Sequence, residues 1–314
     1  MKENPLVSVV MTSYNRAHFI CSAIDSILSQ ECSFPIEIII GDDCSTDGSR
    51  GVLDGYKEKY PDIFVLNYQN ENQGFGSNWA MTCKMAHGKY VAFLDDDDYW
   101  CDNHRLQEMV DYFETHTKCG LVYTNYWVLN VSTGKKTIAK DSYAMAEEEK
   151  LQHMLSKGFP ILFSSSMVRK SIMDEHVDLD TYIRLKFEIQ DFPTAVLMAP
   201  YCEFHFIEKP SVVYRSYAGS MSRPQSYEAI NRKYTQEKVM NRYLYEQIGL
   251  EYDENGDDTY RNSILLSLAC AKGDYRKAKE FAKHSGQRNL KYYSTYTWLS
   301  FQIYRLLKKV KTRL

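Results

Sequence analysis

Gly88-Lys89-Tyr90-Val91-Ala92-Phe93-Leu94-Asp95-Asp96-Asp97-Asp98-Tyr99-Trp100 is an apolar run that ends in four consecutive carboxylates. Tyr90 to Leu94 has the continuity of a strand buried on both faces, and such strands belong to parallel sheets covered by helices. Four adjacent acids at the mouth of a buried strand repel one another. A hard divalent cation, Mg²⁺ or Mn²⁺, bound through one or two of them plus substrate phosphates, relieves that repulsion. A solvated loop capping the next helix is the competing account of the same acids. Two features weigh against it: the strand that precedes them, and a second acidic pair, Asp42-Asp43, behind another apolar run.

Outward from this stretch, strand and helix patterns alternate. Leu6 to Thr12 predicts a strand, and Ala17 to Gln30, with Ile20, Ala23, Ile24, Ile27 and Leu28 at helical spacing, predicts a helix. Strands over Ile36–Gly41 and Ile63–Tyr68 and helices over Ser45–Tyr60 and Gly76–Ala86 continue the alternation. The fold class is therefore α/β, with a mostly parallel sheet flanked by helices and ligands bound beyond the carboxyl ends of the strands. Thr12 to Arg16, Asp42 to Asp47 and Asp95 to Asp98 should then converge on one crevice. After Trp100 a helix over His104–Thr115 and strand-like pieces over Gly120–Asn130 suggest mixed structure. From Pro224 the pattern is helical, over Tyr227–Gln247, Asp258–Lys272 and Tyr275–His284, which divides the chain into a catalytic domain, 1–222, and a helical region, 223–314.

The 314 residues are 44% apolar, enough for a real core, and the net charge of -3 argues against a general nucleic-acid binder. Eight scattered cysteines without a C-x-x-C pair or zinc-ligand spacing read as reduced thiols. Neither a signal-peptide pattern nor an apolar stretch of about 20 residues occurs, so a cytoplasmic location is expected. No G-x-G-x-x-G follows the first strand and no P-loop motif is present, which removes the dehydrogenase and P-loop classes. A sugar nucleotidyltransferase also combines a nucleotide crevice with a metal, but it typically has a glycine-rich phosphate loop where Thr12 to Arg16 has no glycine. A non-catalytic carbohydrate-binding relative is the third alternative, and the retained acids speak against it.

Val7 to Asn15, Ile40 to Ser49, Asn72 to Gly74 and Gly88 to Trp100 together resemble, in order and spacing, the inverting family 2 glycosyltransferases with the GT-A fold. The likeness covers roughly residues 5–222, dense as far as Trp100 and sparse afterwards. It implies Thr12, Tyr14 and Asp42 around a uracil-like base, with Asn15 and Asp43 as neighbouring donor contacts. It places a D-x-D motif on Asp95 and Asp97, with Asp95 at the donor ribose and Asp97 on the metal under the diphosphate. Asp95 is the second metal candidate, and Asp98 is a support or a donor-sugar contact. Asn78 would substitute for an Arg-Asn pair that many members carry where Trp79 and Ala80 stand here. In the ending Tyr214-Arg215-Ser216-Tyr217, Arg215 either reaches the diphosphate or braces the acidic loop. Tyr217 occupies a position where the family commonly has His. Ser164 to Lys170 looks like the strand beside the acceptor site, and none of its residues receives a role.

The resemblance also implies a carboxylate base downstream, and Asp191 in Glu188-Ile189-Gln190-Asp191-Phe192-Pro193 fits, with Glu188 the second choice. Asp191 fits a helix N-cap equally well, and the two roles are compatible. The implied activity is inverting transfer from a nucleotide-sugar, with UDP the expected nucleotide, to a saccharide or lipid-linked hydroxyl in cell-surface polysaccharide or glycan biosynthesis. At the C-terminus Lys291, Arg305, Lys308, Lys309, Lys311 and Arg313 lie among Tyr292, Tyr293, Trp298, Phe301 and Tyr304. Such a tail either rests on an anionic membrane surface or packs as an ordinary helix on the protein or in a dimer.

Overall fold

In a computed structural model the apolar runs of the first hundred residues form the strands β1 (Val7–Ser13), β2 (Ile36–Asp42), β3 (Phe64–Tyr68) and β4 (Tyr90–Phe93). Residues 4–217, 226–286, 290–293, 295, 301–302 and 304 are described. The four strands pair in parallel in the order β3-β2-β1-β4. Their connections are helices α1 (Ala17–Leu28), α2 (Ser49–Lys59) and α3 (Phe75–Cys83). α2 starts four positions later than its apolar pattern suggests because polar side chains hold the preceding loop. Ser45 N donates to Asp42 Oδ1 at 3.0 Å, Ser49 N donates to Asp47 Oδ1 at 3.1 Å, and Gly48 takes a left-handed φ of 92°.

β5 (Tyr99–Trp100), α4 (Arg105–Thr115), β6 (Cys119–Asn130) and β7 (Lys136–Ile138) follow. Then come α5 (Lys150–Ser156), β8 (Ser166–Arg169), α6 (Lys170–His176), α7 (Leu179–Leu185), α8 (Asp191–Met198) and β9 (Glu203–Ser216). The sheet extends as β3-β2-β1-β4-β8-β6-β9-β5, with β7 on β6. β8 runs antiparallel to both β4 and β6, whereas β9 runs parallel to β6. The length of β9 is absent from the sequence expectations because Pro210 interrupts it. The register with β6 slips on both sides of the Asn125–Pro210 pair, since proline donates no ladder hydrogen bond. Val9, Met11, Ile38, Ile40 and Ala92 form one buried cluster with Ile20, Ala23, Ile24 and Ile27 of α1 and Leu106, Met109 and Phe113 of α4. Each large apolar side chain so buried contributes about 1.5–3 kcal/mol.

The chain divides into two compact units, 1–217 and 218–314. The second contains α9 (Tyr227–Gln247), α10 (Glu254–Lys272), α11 (Tyr275–His284) and α12 (Leu290–Tyr293). α10 begins ahead of its apolar pattern because the Asp253 carboxylate accepts from Asn255 N and Gly256 N. Leu265, Leu266, Ala269 and Cys270 bury against Ala278, Ala282, Tyr227 and Ile230. In the basic tail Lys291 donates to Ser267 Oγ at 2.6 Å, while Arg305, Lys308, Lys309, Lys311 and Arg313 lie outside the described residues. Among the described residues no helix is long and apolar enough to cross a membrane. None of the eight cysteines is paired in a disulfide.

Candidate active site

The loops after β1 and β2 are laced together at the carboxyl ends of the strands. Asn15, with φ 55°, donates its backbone N–H to Ser45 Oγ at 2.9 Å and accepts from Thr46 N at its Oδ1 at 2.8 Å. Arg16 N donates to Ser49 Oγ at 3.1 Å, and Ala17 N to Asp47 Oδ2 at 3.0 Å. Tyr14 projects from this edge with 46% exposure, whereas Thr12 beneath it is 6% exposed.

Three residues expected at the donor also hold the scaffold. Asn15 spends its side-chain oxygen on the neighbouring loop. Asp42 has no exposed surface, and its Oδ1 is taken by Arg50 Nε at 2.5 Å as well as by Ser45 N. Arg50 also donates to Gln69 O at 2.5 Å and stacks over Tyr68, so Asp42 pins the outer strands together. Asn78 is 1% exposed and donates to Gly41 O at 2.7 Å, which locks α3 onto β2. A Cβ at Gly41 would meet Asn78 Oδ1 at 2.8 Å, so this close approach needs glycine. Asp43 accepts from Gln73 N at 2.7 Å and Gly74 N at 3.0 Å, and burial pushes its carboxyl above the usual range. It thereby ties the Asn72-Gln73-Gly74 segment to the crevice wall.

The acidic run is held from three sides. Asp95 N donates to Ser164 Oγ at 3.1 Å, and the same hydroxyl lies 3.0 Å from Asp95 Oδ2 and 2.9 Å from Asp98 Oδ2. Arg215 contacts the loop twice: its backbone N–H reaches Asp98 Oδ1 at 3.0 Å and its guanidinium the Asp97 carbonyl at 2.8 Å. The guanidinium also donates to Ser22 Oγ at 2.8 Å and lies 4.5 Å over the Tyr99 ring. Tyr217 donates its hydroxyl to Asp97 Oδ2 at 2.6 Å. Arg16 Nε stands 3.8 Å from Asp97 Oδ2 and 3.9 Å from Asp96 Oδ1.

Burial, followed by the Asp97 charge, pushes the Asp95 carboxyl up to about 7 and those of Asp96 and Asp98 well above their usual range. The Asp191 charge adds to the push on Asp95, so this carboxylate, distant in sequence, lies near enough to act on it. Asp191 is the first residue of α8, and its Oδ1 accepts from Phe192 N at 2.7 Å. The mutual repulsion and oxygen-only chemistry fit a hard cation held through Asp97 and Asp95. Among the described residues no group of three or more His, Cys, Asp or Glu side chains gathers as a metal-binding set.

Ser164, Arg16 and Tyr217 were not assigned roles from sequence. The antiparallel pairing of Ala92 with Met167 and Tyr90 with Arg169, continued past the end of β8, brings Ser164 opposite Asp95. That register is the only signal for Ser164, and it exists only after folding. Ser164→Ala removes a hydroxyl whose one proton lies between two buried carboxylates and whose oxygen accepts from Asp95 N–H. We expect about 1–3 kcal/mol of destabilisation in urea unfolding. An unchanged midpoint would show that the hydroxyl is dispensable.

The fold is that of the GT-A glycosyltransferases. The chain superimposes on S. aureus TarS residues 1–349, solved with UDP-GlcNAc, with a TM-score of 0.56 at 15% identity, covering 98% of this chain and 91% of that one. Residues 8–177, over half of the sequence, match the family described as glycosyl transferase family 2, and the chain belongs to that family. It is 40% identical over 123 residues to the putative teichuronic acid biosynthesis glycosyltransferase TuaG of Bacillus subtilis, covering 39% of this chain and 47% of that protein. It is 35% identical over 125 residues to the UDP-Glc:alpha-D-GlcNAc-diphosphoundecaprenol beta-1,3-glucosyltransferase WfaP of Escherichia coli, with the same shares, 39% and 47%. To the uncharacterized protein Rv1520 of Mycobacterium tuberculosis it is 36% identical over 110 residues, 35% of this chain and 32% of the other. The matched region thus spans about a third to a half of these relatives.

Proposed function

We propose that this chain transfers a sugar, with inversion, from a UDP-sugar to a hydroxyl of a saccharide or lipid-linked acceptor in cell-surface polysaccharide assembly. The observation that carries the proposal is the acidic run at the end of β4, held by Ser164, Arg215 and Tyr217, with the charge of Asp191, nearly a hundred residues downstream, acting on Asp95. One carboxylate cluster serves the diphosphate end of the donor and a separate carboxylate serves the acceptor. The acceptor oxygen forms a bond to the anomeric carbon, and the bond from that carbon to the diphosphate oxygen breaks on the opposite face. Asp191 takes the acceptor proton, and the nucleoside diphosphate departs with the bonding electrons. Asp97 and Asp95 would hold a Mg²⁺ or Mn²⁺ ion, which when bound supplies Lewis-acid stabilisation of the leaving diphosphate. Tyr14 and Thr12 provide the edge against which the base rests, and Asp43 fixes the facing wall.

The donor class draws support from the UDP-glucose in the name of WfaP and the UDP-GlcNAc bound to TarS. The diphosphoundecaprenol in the name of WfaP supports a lipid-linked acceptor and, with it, work at a membrane surface. The basic C-terminal tail suits peripheral contact with such a surface. A panel of nucleotide sugars, each with and without Mn²⁺, tests the donor assignment by thermal stabilisation. A UDP-sugar at a hundred times its Kd should add about 2.7 kcal/mol of stability, and more with metal than without. If no nucleotide sugar shifts the melting temperature under either condition, the proposal fails.

A further inference from the structure

Tyr217 follows directly on the last residue of β9 and touches the acid assigned to the metal. Its hydroxyl lies 2.6 Å from Asp97 Oδ2, and its ring packs 5.2 Å from Phe19 at the start of α1. Arg215, two residues earlier, takes the carbonyl of the same aspartate at 2.8 Å. One strand end therefore grips both the backbone and the side chain of Asp97. Among the described residues both side-chain contacts to the Asp97 carboxylate, from Tyr217 and Arg16, go to Oδ2, so the grip engages one carboxylate oxygen. Without it the side chain, in the loop between β4 and β5, would be free to change rotamer.

We propose that Tyr217 is a positioning residue for the divalent cation: it holds Asp97 in the rotamer that presents Oδ1 to the metal and does not itself ligate. The proposal rests on the assignment of Asp97 to the metal made above. The oxygen–oxygen distance argues against direct ligation. Two adjacent oxygens of an octahedral Mg²⁺ or Mn²⁺ site, each about 2.1 Å from the ion, stand about 3.0 Å apart. At 2.6 Å the phenol and the carboxylate are instead a short hydrogen-bonded pair, with the neutral donor orienting the charged acceptor. Partners of this kind behind a ligand are worth about 10–100-fold in metal affinity. Arg16, 3.8 Å from the same Oδ2, reinforces the choice of oxygen, because a cation next to Oδ2 directs a metal toward Oδ1.

Tyr217→Phe keeps the ring against Phe19 and deletes only the hydroxyl. Mn²⁺ is titrated calorimetrically into the full chain at saturating UDP, for wild type and variant, with melting temperatures in metal-free buffer measured alongside. The Mn²⁺ Kd of the variant should rise about 10-fold or more while its melting temperature stays within a few degrees of wild type. In transfer assays the half-saturating Mn²⁺ concentration should rise by a similar factor, with most of kcat recovered at saturating metal. An unchanged Mn²⁺ Kd would overturn the proposal, and so would tighter binding, which would make the phenol a competitor of the metal. Wild type binding no Mn²⁺ even with UDP would overturn it through failure of the metal assignment itself, an outcome distinct from the first two.

Discussion

Asp97→Asn should lower sugar transfer by a factor on the order of 10²–10³, the range seen when one group that stabilises developing charge is removed. The substitution is isosteric, and the amide oxygen can still accept the Tyr217 hydroxyl, so the change is one of charge more than of shape. Because the Asp97 charge pushes up Asp95, Asp96 and Asp98, its removal relieves repulsion within a buried run. In metal-free buffer the variant should therefore melt at the same temperature as wild type or higher. The stabilisation that Mn²⁺ confers should shrink, and added metal should fail to restore kcat. Activity and stability moving in opposite directions distinguishes a functional acid from a structural one, which would lower both. Wild-type turnover with unchanged metal dependence would remove Asp97 from the site.

The half of the fold around Asp97 was legible in sequence for a physical reason. β1, β2 and β4 are buried on both faces, so their composition is mostly apolar, and α1 shows its buried residues at helical spacing. Strand-end logic then sufficed to bring three polar segments together. The second half obeys no such local rule. β9 carries Glu203, His205, Glu208, Lys209 and Pro210, and its long pairing with β6 becomes visible only when the strands are side by side. Ser164 owes its place to an antiparallel register between β4 and β8, which no spacing along the chain encodes. Asp42, Asn15 and Asn78 stand where the family's donor contacts stand, and their side chains also hold Arg50, the Thr46 amide and the Gly41 carbonyl. These scaffold bonds are not readable from motif spacing. The same is true of Tyr217, since its departure from the family's His is readable in sequence but its bond to Asp97 is not.

Asp191→Asn should abolish transfer, a loss of about 10²–10⁴-fold, while leaving nucleotide-sugar binding nearly intact. The asparagine oxygen can accept from Phe192 N as the carboxylate does at 2.7 Å, so the first turn of α8 keeps its hydrogen bond. What is lost is the negative charge at a helix N-terminus, worth about 0.3–1 kcal/mol, too little to unfold the domain. The proton acceptor is lost as well, and an amide cannot replace it. The substitution also removes a charge that helps to raise Asp95, so donor and metal binding in the variant should be no weaker than in wild type. The decisive measurement pairs the transfer rate with thermal stabilisation by UDP-sugar and Mn²⁺ on the same preparation. Transfer lost with stabilisation retained identifies the base. Loss of both would make Asp191 a first-turn residue that shapes the crevice, and the role of base would pass to Glu188, for which Glu188→Gln is the matching variant. The two carboxylates of this site are then separable by experiment: Asp97 governs the response to metal, and Asp191 governs what happens after donor and metal are already bound.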